Sequence, residues 1–230
     1  MTNVDFAQAV AVVVAAYLCG SIPFGLLIGW ARGVDVRTQG SGNIGATNVG
    51  RVLGRPYGLA AFGLDLLKGF VPVWLAGHWL AGRAGVGPLA AGDFLIWMAV
   101  AAACIVGHVF PVYLRFKGGK GVATSLGVLL GIWPYFTLPG LVALGLWIVV
   151  TGATRYVSVG SIVAAGAFPV LFAAAAHLAC GRWGASEHLW PLYTFSVILS
   201  FLVIYRHGSN IKRLLAGTES KIGRSSSTGR

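Results

Sequence analysis

The chain reads as an all-α, polytopic membrane protein of seven transmembrane helices, with its amino terminus outside and its carboxy terminus cytoplasmic. Three observations predict this. Of 230 residues, 57% are hydrophobic and only 10% are charged, against roughly 25% charged in a soluble domain. Apolar stretches too long for a buried core helix recur from end to end. The basic residues fall almost entirely on alternate loops, as the positive-inside bias requires. Such a composition excludes a soluble enzyme, a disordered chain and a secreted disulfide scaffold.

The first apolar run, about residues 6–30, is too long for a signal-peptide core and reads as a retained helix. A polar, glycine-rich stretch, 31–55, leads to a second span at about 56–80, which carries Asp65 and Lys68. A short Gly/Pro loop precedes the third span, about 92–113, and a basic loop follows at 114–120. Residues 122–150 are apolar but broken by Pro134 and Pro139. Loop charge decides how to divide them. With two short helices, Arg32, Arg37, Arg51, Arg55, Arg115, Lys117, Lys120, Arg155 and the tail's six basic residues share one side. That is fourteen charges against two, Arg83 and Arg182, whereas a single kinked span splits them eight to eight. Two helices of about 13–15 residues are therefore expected, below the roughly 20 needed to cross squarely. Spans at about 159–180 and 189–205 complete the seven, and residues 222–230 form a polar tail expected to be disordered. Residues 1–221 are thus one membrane domain.

The net charge of +11 belongs to the loops on the predicted cytoplasmic side and implies no nucleic-acid partner. Cys19, Cys104 and Cys180 form no C-x-x-C pair or zinc spacing and read as small packing residues. No metal and no cofactor is expected.

Three stretches on the cytoplasmic side carry the chemistry. In the first, Gly40, Gly42 and Gly45 let backbone N–H groups approach an anion. Ser41, Asn43, Thr47 and Asn48 add uncharged donors, and Arg51 adds a planar fork matched to phosphate or carboxylate. In the second, Lys117, Gly118, Gly119, Lys120 and Gly121 lead into a helix with Thr124 near its start, where free N–H groups and the positive dipole end favour phosphate. Walker A spacing is absent. In the third, His207 and Asn210 lie three apart and share a helix face, with Arg213 and Glu219 following. Ile211, Leu214 and Leu215 give that segment a short amphipathic face. Arg155, Ser158 and Ser161 open the sixth span and are placed to complete an anion pocket. Asp65 and Lys68, three apart on the second span, read as a mutual pair inside the membrane. His108 is equally readable as a cap at the end of the third span.

Several phosphate-friendly segments on one face imply a ligand with more than one anionic group. With donors plentiful and bases few, the site suits an electrophile that arrives already activated, with phosphate leaving.

Taken together, residues 40–51, 107–124 and 206–219 resemble, in order, the three motifs of the bacterial acyl-phosphate-dependent glycerol-3-phosphate acyltransferases. Asp65-Leu66-Leu67-Lys68-Gly69 is similar to the pattern of their second helix. The resemblance implies transfer of a fatty acyl group from long-chain acyl phosphate to the 1-hydroxyl of glycerol 3-phosphate, giving lysophosphatidic acid and phosphate. It implies a multi-pass protein of the bacterial inner membrane, in contact with membrane lipid, with its active site facing the cytoplasm. A transient contact with the soluble enzyme that makes acyl phosphate is a further expectation. Carried over residue by residue, the first motif's essential serine and arginine fall on Ser41 and Arg51. The glycerol-phosphate loop falls on Lys117–Gly121. The third motif's histidine and asparagine fall on His207 and Asn210, and its structural glutamate on Glu219. Gly40, Gly42, Asn43, Thr47, Asn48, Thr124, Ser158 and Arg213 join as substrate-binding residues, and Asp65 and Lys68 as structural ones. The competing reading is a membrane transporter for an organic phosphate. It requires polar residues deep in several helices and a second, outward route.

Overall fold

The computed structural model describes residues 6–85, 87–179, 182–183 and 186–222. Cys180 and tail residues 223–230 lie outside the described residues. Among those described, regular structure is wholly helical: ten α-helices and two single 3₁₀ turns.

The first run is not one helix. The chain instead forms helix α1 (Phe6–Ser21) and helix α2 (Phe24–Ala31). Pro23 lacks the N–H that would continue the ladder, and its ring clashes with the preceding turn. The Ile22 N–H folds back to the Cys19 carbonyl at 3.2 Å, and the helix restarts.

Helix α3 (Ala46–Leu53) occupies the stretch expected to be a glycine-rich loop. It is amphipathic: Val49 is buried, while Thr47 and Arg51 face outward. Gly54, at φ +101°, ends it, and α4 (Arg55–Ala84) starts with proline in its first turn, where the missing N–H is tolerated. Helix α5 (Ala91–Val109) follows, continued by a 3₁₀ turn, Val112–Leu114.

The 122–150 stretch divides less evenly than expected, into α6 (Val122–Gly131, 10 residues) and α7 (Thr137–Thr154, 18 residues). Pro134 lies in the gap, but Pro139 falls in the first turn of α7, where it breaks nothing. Helices α8 (Val157–Leu178), α9 (Trp190–Arg206) and α10 (Gly208–Leu215) complete the order.

Among the described residues, five helical segments are long and apolar enough to cross a membrane: Phe6–Ala31, Arg55–Ala84, Ala91–Leu114, Thr137–Thr154 and Val157–Leu178. Val122–Gly131 and Trp190–Arg206 are apolar but shorter. Ten residues rise only about 15 Å, half of the roughly 30 Å hydrocarbon core. Close packing on α4 supports this short helix. A Cβ at Gly127 would overlap the Leu66 carbonyl, and one at Gly69 would overlap the Thr124 carbonyl. In lipid, such backbone-to-backbone approach is a main source of helix association.

The ends of the bundle differ. At one end Phe94, Trp97, Tyr135, Phe172 and Trp183 form an aromatic cluster with centroids 5.0–6.5 Å apart. At the other, Leu26, Val36, Ile44, Val49 and Ala61 make a small separate core that seats the first motif on α2 and α4.

Candidate active site

The second motif is anchored on the end of α5. The Gly118 N–H donates to the Val109 carbonyl and the Gly119 N–H to the His108 carbonyl, each at 3.1 Å. A Cβ at Gly118 would overlap the His108 carbonyl oxygen, and one at Gly119 would overlap the His108 ring at Nε2. These glycines therefore admit the loop onto α5, not only a phosphate onto the loop. Gly121, at φ +84°, turns the chain into α6. The backbone N–H groups of Lys120 and Gly121 have no protein acceptor among the described residues. Lys117 is exposed. Thr124 is fully buried against α4, and its hydroxyl has no hydrogen-bond partner among the described residues.

Beneath this loop lies the intramembrane pair. Lys68 Nζ is 2.7 Å from Asp65 Oδ1, both side chains being almost fully buried. Lys68 also donates to the Ile22 carbonyl at 2.7 Å, which ties α4 to the break between α1 and α2. His108 is not an interfacial cap. It is buried, with Nδ1 3.6 Å from Asp65 Oδ1, too far for a good hydrogen bond.

The first motif is ordered by its own side chains. Asn48 Oδ1 accepts from the Ser41 N–H at 2.8 Å, and Nδ2 donates to the Val36 and Gln39 carbonyls at 2.8 and 3.1 Å. Asn48 is buried and its amide is committed, so it shapes the loop instead of offering a donor to a ligand. Asn43 Oδ1 accepts from the Gly45 N–H at 2.8 Å, an Asx turn that leads into α3. Gly40 (φ +60°) and Gly42 (φ +69°) flank Ser41 in conformations that favour glycine. Ser41 and Thr47 are exposed, and their hydroxyls make no protein hydrogen bond among the described residues. Arg51, in the last turn of α3, is exposed and has no acidic partner among them.

The third motif is organised by Glu219. Its Oε1 accepts from Ser158 Oγ at 2.8 Å and Asn210 Nδ2 at 2.6 Å, and its Oε2 accepts from Arg213 Nε at 2.7 Å. Ser158, Asn210 and Arg213, expected to contact substrate or reacting atoms, are thus engaged in fastening the tail to α8 and α10. The Ile222 N–H extends the attachment, donating to the Arg155 carbonyl at 2.8 Å. Burial alone would push the Glu219 carboxyl up, but the bonds from Asn210, Arg213 and Ser158 outweigh it and hold it below the usual carboxylate range. His207 is buried at the α9–α10 junction. Its Nδ1 bonds the Val203 carbonyl at 2.7 Å; a carbonyl only accepts, so Nδ1 carries the proton. Burial lowers the imidazole's pKa, outweighing that bond, and Lys120 and Arg206 push the same way. The neutral ring keeps its lone pair on Nε2.

The three motifs meet around Lys120. Burial brings its ammonium down to about 8; Glu219 opposes this, while the positive charges of Arg213, Arg51 and Arg206 reinforce it. Asn43, Lys120, Tyr205, Arg206, Gly208 and Ser209 line a polar pocket of about 310 Å³. A second, apolar pocket of about 100 Å³ runs between the helices, with Val122, Ser125, Ser161, Phe168 and Val203 in its walls. The last turn of α9 borders both, and Lys120 of the polar pocket immediately precedes Gly121 and α6, whose first turn lines the apolar one. Arg206 escaped the sequence reading. It sits beside His207, but its partner, the Gly119 carbonyl at 3.0 Å, lies 87 residues away.

Fold and site together define a helical membrane protein with a cationic, glycine-lined pocket at one end that adjoins an apolar groove between its helices. The family model described as glycerol-3-phosphate acyltransferase matches residues 10–217, and the chain belongs to that family. It is 45% identical over 212 residues to the glycerol-3-phosphate acyltransferase of Geotalea daltonii, covering 92% of this chain and 96% of the relative. The Trichlorobacter lovleyi protein of the same name is 46% identical over 209 residues, covering 91% and 95%. The fold is similar to the crystal structure of PlsY (YgiH), an integral membrane glycerol 3-phosphate acyltransferase, in its glycerol 3-phosphate form. That likeness has a TM-score of 0.78 and 37% identity, over 94% of this chain and 96% of that one. The lysophosphatidic acid form of that enzyme gives 0.76 and 36%, over the same shares.

Proposed function

We propose that this protein transfers a fatty acyl group from long-chain acyl phosphate to the 1-hydroxyl of glycerol 3-phosphate, releasing lysophosphatidic acid and phosphate. The observation that carries this is the adjacency of the two pockets. Lys120 and Arg206 line the polar one, while Val122, two residues after Lys120 at the start of α6, and Val203, in the same turn of α9 as Arg206, line the apolar one. A substrate with a phosphate head and a long acyl chain matches that pairing. In the proposed orientation the chain crosses a bacterial inner membrane seven times. Its amino terminus is outside, and the motif end, which gathers the basic loops, faces the cytoplasm.

In the reaction, the glycerol hydroxyl attacks the acyl carbonyl. A new ester C–O bond forms, and the C–O bond to phosphate breaks, with the electron pair leaving on phosphate. Lys120, Arg51 and the free N–H groups of Lys120 and Gly121 hold the two phosphates together and offset negative charge on the tetrahedral centre. Ser41 acts as a donor, since no base adjoins its hydroxyl. The hydroxyl proton goes either to His207 Nε2 or to the leaving phosphate, and the pH profile of kcat in His207→Gln distinguishes the two. Asn210 and Glu219 hold α10, and with it the His207 junction, in place.

The test is purified protein in detergent with labelled glycerol 3-phosphate and either acyl phosphate or acyl-CoA. Lysophosphatidic acid is expected from acyl phosphate and not from acyl-CoA. Turnover with acyl-CoA alone would refute the donor assignment, and no turnover with either would refute the function.

A further inference from the structure

Arg206 is held by two contacts that the proposed reaction does not use. Its Nη2 donates to the Gly119 carbonyl at 3.0 Å. Its guanidinium lies over the Phe110 ring, 5.5 Å from the centroid. Its Nε is buried without a protein partner, and the side chain lines the polar pocket. The Gly119 residue that it grips is held from the other side by its own N–H, bonded to the His108 carbonyl at 3.1 Å.

The peptide between Gly119 and Lys120 is planar and trans, so its N–H points opposite to its carbonyl. A guanidinium bonded to the Gly119 oxygen therefore sets the direction of the Lys120 N–H, which has no protein acceptor among the described residues. The neighbouring Gly121 N–H is also free, and α6 begins one residue later. We propose that Arg206 is a positioning residue for the phosphate of glycerol 3-phosphate: it clamps the Gly119–Lys120 peptide so that the Lys120 and Gly121 N–H groups face that phosphate. Phe110 holds the guanidinium plane for this task. A lysine carries the same charge but has neither the planar fork nor the stacking face. The inference rests on the proposed reaction, which the wild-type protein tests in the same assay.

The experiment compares wild type, Arg206→Lys, Arg206→Ala and Phe110→Leu, with Arg55→Lys as a site-remote control. KM for each substrate, kcat and the thermal midpoint are measured. Both Arg206 variants are expected to raise KM for glycerol 3-phosphate at least about tenfold, with kcat within about threefold and KM for acyl phosphate unchanged. Phe110→Leu is expected to move the same constant in the same direction by about two- to fivefold. An independent readout needs no turnover: glycerol 3-phosphate alone should slow amide exchange at Lys120 and Gly121 in wild type but not in Arg206→Lys. Unchanged KM values would overturn the proposal. So would equal rises in both KM values with a lowered thermal midpoint, which mark Arg206 as ordinary packing. If the Arg206 variants fail to fold, Phe110→Leu decides: no selective rise in KM for glycerol 3-phosphate overturns the proposal. Wild type that binds glycerol 3-phosphate with this exchange signature but does not acylate it would refute the reaction and leave the clamp standing.

Discussion

Glu219→Ala removes the acceptor on which three hydrogen bonds converge. Ser158 and Asn210 are 3% and 4% exposed, so their donors lose the carboxylate with little water to replace it. Arg213 is 40% exposed on its side chain, so its bond belongs at the low end for a charged pair. With 1–3 kcal/mol for each of the two buried donors and about 1.5 kcal/mol for the Arg213 bond, the attachment should weaken by roughly 3.5–7.5 kcal/mol. Glu219→Gln is milder. Its carbonyl oxygen still accepts from Ser158 and Asn210, but its amide nitrogen sets a donor against Arg213 Nε. That loss is about 1.5–2 kcal/mol, roughly tenfold or more in the local opening equilibrium. Two amides report it directly: Thr218 N–H, bonded to the Arg213 carbonyl at 2.8 Å, and Ile222 N–H, bonded to the Arg155 carbonyl at 2.8 Å. Hydrogen exchange in detergent should show both opening about tenfold more in Glu219→Gln and at least about a hundredfold more in Glu219→Ala, with activity falling in the same order. Wild-type protection at Ile222 in Glu219→Ala would show that Glu219 does not anchor the tail.

Further outcomes concern the pocket. Arg51→Lys should fold normally yet lose at least about tenfold in kcat/KM, because an ammonium cannot copy a two-pronged grip on phosphate; purified variant with wild-type kinetics would leave Arg51 a topology charge. Because the Lys120 pKa is lowered to about 8, its positive charge is lost as pH rises through that value, so KM for glycerol 3-phosphate should climb above about pH 8. Phosphate monoesters have already lost their second proton near pH 6, so the substrate does not produce this rise, and Lys120→Arg should flatten it. Gly118→Ala should lower the thermal midpoint more than Gly119→Ala, since its Cβ meets the His108 backbone carbonyl while the other meets a side-chain ring. Overpacking of this kind costs about 1–3 kcal/mol, and equal midpoints for both variants and wild type would contradict the packing role.

Much of the fold was legible because its signals are local. Hydropathy marked the apolar segments, and Pro134 marked the division between α6 and α7. Pro23 marked a break too, but a continuous apolar run around it masked the signal. Helix α3 was missed for a related reason: over eight residues its glycine and asparagine weigh toward a loop, and its burial depends on Ile44, Leu26 and Ala61 being brought around Val49. Tertiary packing overrode weak propensity there.

The site divides in the same way. The membrane class, the family motifs, the surplus of cations over bases and the Asp65–Lys68 pairing are written in local sequence, the last because one turn of helix brings residues three apart together. Tertiary packing is what commits the Asn48 amide to the loop, brings Ser158 and Asn210 to Glu219, sets His108 beneath Gly119 and lets Arg206 reach the Gly119 carbonyl. Ser158 and Glu219 are 61 residues apart, and Arg206 and Gly119 are 87 apart. Partners so distant are chosen by how the helices pack, and a donor's residue type does not say which acceptor that packing will bring to it.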